Sequence, residues 1–407
     1  MTSFLTRRSA RTITVLAISQ IVAWGTTFDM LGVMGRTIAP DLGLSNEFVF
    51  SGLTIMMVTS AVLGPSTGRW LGRYGAARVL AAGSLTFALG LLILAACHGV
   101  VLYAAAWVLI GIGGALGLSA PAYAAVVERE GLDGKRVIAI LMLFTGLSAT
   151  IFWPLLSLVE AAIGWRMTFL LSASIHLFVC LPLHLFGLPA PQATSTAGGS
   201  VDAAPVEMTA GARRAAFVLI AAATTISAFL TFGIVPSLLE LLRQSGASEA
   251  LALQLGAARG VIGISARGVD MALGKRSNPV LSAGIAAALM LVSFPLLLFA
   301  GPALLPLYGF ILLYSFGSGV FAVSRALLPL SVFSAREYGL QAARLSLPQN
   351  LAMATAPVIF TALLDRGGSG SVIAVSIGLS AIVLVLVVAL QSLIRRAHAR
   401  ANAVTPA

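Results

Sequence analysis

Apolar stretches of about 20 residues recur along this chain, and its arginines fall mainly on every second connection between them. A stretch of that length crosses a hydrocarbon core as a helix, and a helix satisfies its own backbone where no water can. The chain is 58% hydrophobic and 10% charged over 407 residues, which is far from the mixture a soluble domain carries. The pattern predicts about twelve spans. They are near 13–36, 46–67, 79–97, 101–125, 137–159, 167–188, 215–239, 248–269, 279–300, 303–327, 342–364 and 371–394.

Most of the 25 Lys and Arg residues then sort to one side. That side carries Arg7, Arg8, Arg11, Arg69, Arg73, Arg78, Arg129, Lys135, Arg136, Arg213 and Arg214. It continues with Arg267, Lys275, Arg276, Arg336, Arg344, Arg395, Arg396 and Arg400, while the other side has only Arg36, Arg166, Arg243 and Arg366. The positive-inside bias puts the first set, and both termini, in the cytoplasm of a cell inner (plasma) membrane protein. The net charge of +11 follows from this asymmetry and calls for no nucleic acid. The first apolar run is longer than a signal-peptide core and no small-residue cleavage site follows it, so it is expected to remain as a span.

Residues 189–212 are rich in Ala, Pro, Ser, Thr and Gly without apolar periodicity, the composition of a flexible linker. The expected organisation is an all-α membrane protein of two six-helix bundles, 1–188 and 213–407, joined by this cytoplasmic segment. Transporters built from related halves have this arrangement.

An enzyme is not expected. His98, His176, His184 and His398 are scattered, and Cys97 and Cys180 lie in or beside apolar spans, where a thiol acts as a small hydrophobe. Gly268 to Lys275 approaches a phosphate loop, but its glycine spacing is wrong and Arg276 stands where Ser or Thr is needed. Neither cofactor nor metal is expected. Gly111, Gly113, Gly114 and Gly117 fall inside the fourth span, where small residues let helices approach closely.

After the second span comes Gly68-Arg69-Trp70-Leu71-Gly72-Arg73-Tyr74-Gly75-Ala76-Ala77-Arg78. This segment resembles the cytoplasmic loop motif of the major facilitator superfamily, with Gly72 in the place of the usual acid. The resemblance implies a gating loop of Gly68, Gly72, Arg73, Gly75 and Arg78, matched in the second half by Arg267 and Asp270. Gly164-Trp165-Arg166, Tyr338-Gly339, Pro348 and Pro357 look like the monocarboxylate and oxalate–formate branch, although that branch's acidic first-helix motif is missing. The Gly-Pro-x-x-Gly-Gly pattern of drug–proton antiporters is not found around Gly146 and Pro154, and Trp107 occupies a place where many proton-coupled members carry arginine. The likeness implies a secondary active transporter in which one bundle rocks against the other, with a small organic solute as its partner besides the bilayer. A coupling proton or counter-anion is a further expected partner, and the protein is expected to be a monomer.

Charges at membrane depth are costly and mark solute or ion paths. Arg259 is about eleven residues into the eighth span, roughly 16 Å deep. It resembles in position the carboxylate-binding arginine of the oxalate and monocarboxylate carriers, and a guanidinium can hold a carboxylate by two parallel hydrogen bonds. Asp29, in the outer part of the first span, is the proton-coupling candidate, with a partnership to Arg36 as the alternative. Gln20, Trp24 and Thr27 fall at i, i+4 and i+7, on one helix face. Trp107 and Tyr123, Trp153, and Gln349 and Asn350 join them on helices that line the cavity in this superfamily. The expected substrate is an organic anion held by Arg259. The alternatives are a neutral planar nutrient such as riboflavin stacked on the tryptophans, or efflux of a small drug-like molecule.

Overall fold

The computed structural model describes residues 6–130, 134–191, 208–273, 278–300, 304–333 and 335–404, and among these there are helices and connections but no strand. Helix α1 is Arg7–Asp41, α2 Asn46–Tyr74, α3 Ala76–Ala96 and α4 Val100–Glu130. Helix α5 runs from 134 to 163 with a turn at 146–147, and α6 covers 165–187. Beyond the linker come α7 Ala210–Gln244, α8 Glu249–Leu273, α9 Pro279–Leu296 and α10 Leu305–Leu327. The last two, α11 at 335–367 and α12 at 369–404, are written as one continuous helix, Ala335–Val404.

Nine helices among the described residues are long and apolar enough to cross a membrane by length and composition. Two of these, Ile140–Gly187 and Leu347–Ala399, are too long for one crossing and are each interrupted by a glycine outside helical geometry. Gly164 has φ 77° and Gly368 has φ 68°, a region that side chains other than glycine's rarely enter. With both breaks counted, and with α8 added, the twelve expected segments are present. Most linker residues lie outside the described ones.

The chain forms two compact units, Met1–Ala197 and Gly198–Ala407. In the first, Ile13, Leu16, Leu80, Ala122, Val126 and Leu141 join α1, α3, α4 and α5 in one apolar cluster. In the second, Ile220, Ala283, Ala286, Phe321, Phe333 and Val387 do the same for α7, α9, α10 and α12. Lipid tails are as apolar as these side chains, so close packing rather than a hydrophobic gradient holds such helices together.

One ring-on-glycine contact recurs at matching places in the two units. A Cβ on Gly25 of α1 would stand 2.2 Å from the Phe152 ring of α5, and one on Gly233 of α7 would stand 2.2 Å from the Phe360 ring of α11. Gly233 follows Gly25 by the same interval at which Phe360 follows Phe152. In both units a ring of the fifth helix rests on the bare backbone of the first.

The two ends of the first unit are tied by polar contacts. At the arginine-poor end, Arg166 donates to the carbonyls of Ala95 (3.1 Å) and Cys97 (2.8 Å) and to Asp41 Oδ2 (3.2 Å). Trp165 Nε1 also donates to Asp41 Oδ2 at 3.2 Å, and the Arg166 guanidinium lies 4.2 Å from the Trp165 ring centroid. The Gly-Trp-Arg triplet is therefore a clasp: Gly164 turns the chain, and Trp165 and Arg166 bind the ends of α1 and α3. Cys97 and Cys180 are both buried free thiols.

At the arginine-rich end, Arg8 donates to the carbonyls of Arg129 (3.1 Å) and Ala190, and Arg11 to those of Gly187 (2.7 Å) and Phe186 (3.0 Å). Glu130, 7% exposed, receives hydroxyl protons from Ser9 and Thr12, both at 2.6 Å. The start of α1 thereby grips the ends of α4 and α6.

Candidate functional site

In α1 the helix widens at Gly25–Asp29 into a π-turn. Such a turn inserts an extra residue and occurs often at functional sites. It also alters the expected face. Gln20 and Trp24 keep helical spacing, but the wider turn after Trp24 takes Thr27 out of register with them. Gln20 is fully buried and donates from Nε2 to the Gly117 carbonyl at 2.7 Å. Trp24 is half-buried, with its ring edge toward Phe28 at 6.0 Å between centroids. Thr27 is buried and returns its hydroxyl to the Ala23 carbonyl at 2.6 Å.

Asp29 ends the π-turn, about 18 Å along the helix from its arginine-poor terminus, and is 6% exposed. Ser148, where α5 resumes after its turn, lies 2.7 Å from Asp29 Oδ2 and 3.1 Å from the Ile21 carbonyl. A hydroxyl carries a single proton, so Ser148 donates to one of these acceptors at a time. Sequence reading passed over Ser148, because nothing in its local pattern says that it faces α1. Within the same π-turn, Thr26 is hydrogen-bonded to Nε2 of the buried His176 of α6 at 2.8 Å.

Trp107 and Trp153 are both completely enclosed. The Trp107 indole sits where a Cβ on Gly52 of α2 would be, at 2.4 Å, so it fills the seam between α2 and α4. Trp153 Nε1 is buried without a hydrogen-bond partner among the described residues. Tyr123 is half-buried, as is Gln349, which donates to Thr224 Oγ1 of α7 at 3.0 Å, and Asn350 is exposed.

Arg259 lies near the middle of α8 and is half-buried. Its Nε is buried with no hydrogen-bond partner, and no ion pair to it occurs among the described residues. It is near enough to Tyr314, a fully buried residue of α10, for the two to interact electrostatically. Buried guanidinium donors are normally satisfied; the Nε of Arg129 is also buried without a partner among the described residues, so Arg259 is set apart by its place near the middle of an apolar helix.

The expected gating loop is helical over most of its length. Gly68, Arg69, Gly72 and Arg73 all belong to the last turns of α2, and Gly75, at φ 78°, makes the whole connection to α3. Nothing would touch a Cβ at Gly68, Gly72 or Gly75. Arg73 and Arg78 are exposed, and Arg73 lies 5.2 Å from the Tyr74 ring centroid. The resemblance leads one to expect an acid at Gly72, and the acid that reaches this connection is Glu128 of α4. Its Oε1 accepts the Ala76 amide at the first turn of α3 (2.9 Å), and its Oε2 pairs with the buried Arg129 at 3.0 Å. In the second unit Arg267 is half-buried on α8, while the side chain of Asp270, like that of Tyr338, lies outside the described residues.

Two units of long apolar helices, interrupted at Gly164 and Gly368, define a polytopic helical membrane protein. The family pattern of the Major Facilitator Superfamily matches residues 16–342, and the chain belongs to that superfamily. No curated protein matches it. Among solved structures it is similar to a bacterial homologue of the human lysosomal transporter Spinster. The inward-facing, occupied form gives a TM-score of 0.68 at 14% identity, over 97% of this chain and 98% of that one. The inward-facing, unoccupied form gives 0.66 at 13% identity, over 96% of each. At such identities the likeness is one of fold.

Proposed function

We propose that this protein is a secondary active transporter that carries a small organic anion by alternating access. In this reading the arginine-rich helix ends face the cytoplasm and Arg259 is the carboxylate clamp. The observation that carries it is the buried Nε of Arg259, near the middle of α8, which has no hydrogen-bond partner among the described residues. A carboxylate would accept from Nε and from one terminal nitrogen in parallel, satisfying the group and neutralising its charge. The enclosure of Trp107 and Trp153 disfavours a planar nutrient stacked on those rings, so we place the protein nearer the monocarboxylate and oxalate–formate branch. Asp29 is the coupling acid in this proposal, with Ser148 as the neighbour that keeps its carboxylate hydrogen-bonded.

The test is thermal unfolding of the purified protein with mono- and dicarboxylates, and separately with neutral planar compounds including riboflavin. A ligand that binds only the folded state raises the midpoint with its occupancy. Stabilisation by carboxylates that is lost in Arg259→Ala supports the clamp. Stabilisation by the planar set that survives this substitution moves the site away from Arg259 and sinks the anion reading.

A further inference from the structure

The second unit holds a cleft of about 610 Å³ at its arginine-rich end, and none of its lining residues is one assigned to the transport site. Arg213 and Arg214 enter it from the first turns of α7, and Gln341 and Arg344 enter from α11. Its apolar wall is made by Phe217 and Phe333. The Arg213 guanidinium lies 5.1 Å from the Phe333 ring centroid, which fixes one cation against the wall.

Arg214 and Arg344 are both exposed in this cleft and repel one another, and the local backbone adds to the field. The start of α7 has no acid in its first turn, and a helix N-terminus carries positive potential of its own. Cations at a helix start are ordinarily unfavourable, so an anion would relieve both the charge repulsion and the dipole. The apolar wall says which kind of anion. Directly after the two arginines α7 becomes apolar through Ala215, Ala216, Phe217 and Val218, and Val218 is 56% exposed. Charge and greasy surface meet here within one helical turn, at the level where a span leaves the membrane. A free phosphate would use the arginines and leave Phe217 and Val218 unemployed.

We infer that this cleft is a binding site for an anionic phospholipid of the inner leaflet. The phosphodiester lies among Arg213, Arg214 and Arg344, and the first part of an acyl chain runs along Phe217 and Val218. Basic pockets at the cytoplasmic ends of membrane helices suit such headgroups. The inference uses the proposed orientation of the chain but not the identity of the transported solute.

The experiment is native mass spectrometry of the purified protein titrated with phosphatidylglycerol, with phosphatidylcholine, and with inorganic phosphate as a competitor. Arg214→Gln and Arg344→Gln are compared singly and together. Both residues are exposed, and the single variants, checked by circular dichroism, guard against misfolding of the pair. Phosphatidylglycerol should be retained in preference to phosphatidylcholine. Each arginine near an anionic lipid surface contributes enough to predict about fivefold weaker retention per substitution and about 25-fold for both. Unchanged retention in the folded variants overturns the site. Equal retention of phosphatidylcholine overturns the charge argument, and displacement by millimolar phosphate overturns the lipid assignment in favour of a free-anion site.

Discussion

Ser148 Oγ stands 2.7 Å from Asp29 Oδ2 and 3.1 Å from the carbonyl of Ile21, bridging α5 to α1 on either side of the π-turn. One rotation of a hydroxyl moves its proton from the carbonyl to the carboxylate. The arrangement leaves a donor for Asp29 when it is charged, and an acceptor for it when it carries a proton. Few single side chains could serve a buried acid in both states.

Removing that hydroxyl should therefore cost stability. Ser148→Ala is expected to destabilise the protein by about 1–3 kcal/mol, the penalty for leaving a buried polar group short of a partner. In the Asp29→Asn background the same change should cost less. A double-mutant cycle of unfolding free energies measures the difference, and strict additivity would dissociate the two residues.

The two glycine–phenylalanine contacts predict matching behaviour in the two units. Gly25→Ala and Gly233→Ala each place a methyl where a phenyl ring already sits, an overpacking of about 1–3 kcal/mol. Adding Phe152→Leu to the first, and Phe360→Leu to the second, should restore part of the lost unfolding temperature. No restoration would mean that the rings are not what the glycines accommodate.

The clasp at the arginine-poor end depends on the shape of Arg166 as well as its charge. Lysine keeps the charge but has neither the planar fork nor the stacking face. Arg166→Lys should lower the unfolding temperature nearly as far as Arg166→Ala. Gly164→Ala, forced to φ 77°, should cost about 1–2 kcal/mol from backbone strain alone. Thermal melts of the three variants check both expectations.

Orientation has a direct test. With Cys97 replaced by Ser and Cys180 by Ala, a single cysteine placed at exposed Arg73 should react with a membrane-impermeant maleimide only after cells are permeabilised. Labelling of intact cells would reverse the proposed topology.

Much of the fold was legible in the sequence because the bilayer is a demanding solvent. It requires apolar runs of a minimum length, and those runs located the helices, although several extend five to ten residues beyond the expected ends. The charge imbalance between connections likewise needs only a count. What escaped was whatever depends on a neighbour. Gly68 to Arg78 resembles a loop in a motif, yet α2 continues through most of it because Gly75 alone makes the turn. Gln20, Trp24 and Thr27 looked aligned under ideal helical spacing, and the π-turn undid that alignment beyond Trp24.

The remaining division is between composition and contact. From the sequence alone came the membrane class, the helix count, the family resemblance and the isolation of Asp29 and Arg259 as rare charges at depth. These follow from local patterns that a linear chain displays. Only the tertiary structure decided that Trp107 packs against Gly52, that Glu128 reaches the first turn of α3, and that Ser148 lies beside Asp29. Each pairs residues from different helices, 52 or more positions apart, and nothing in the local pattern of either partner records that the other packs against it.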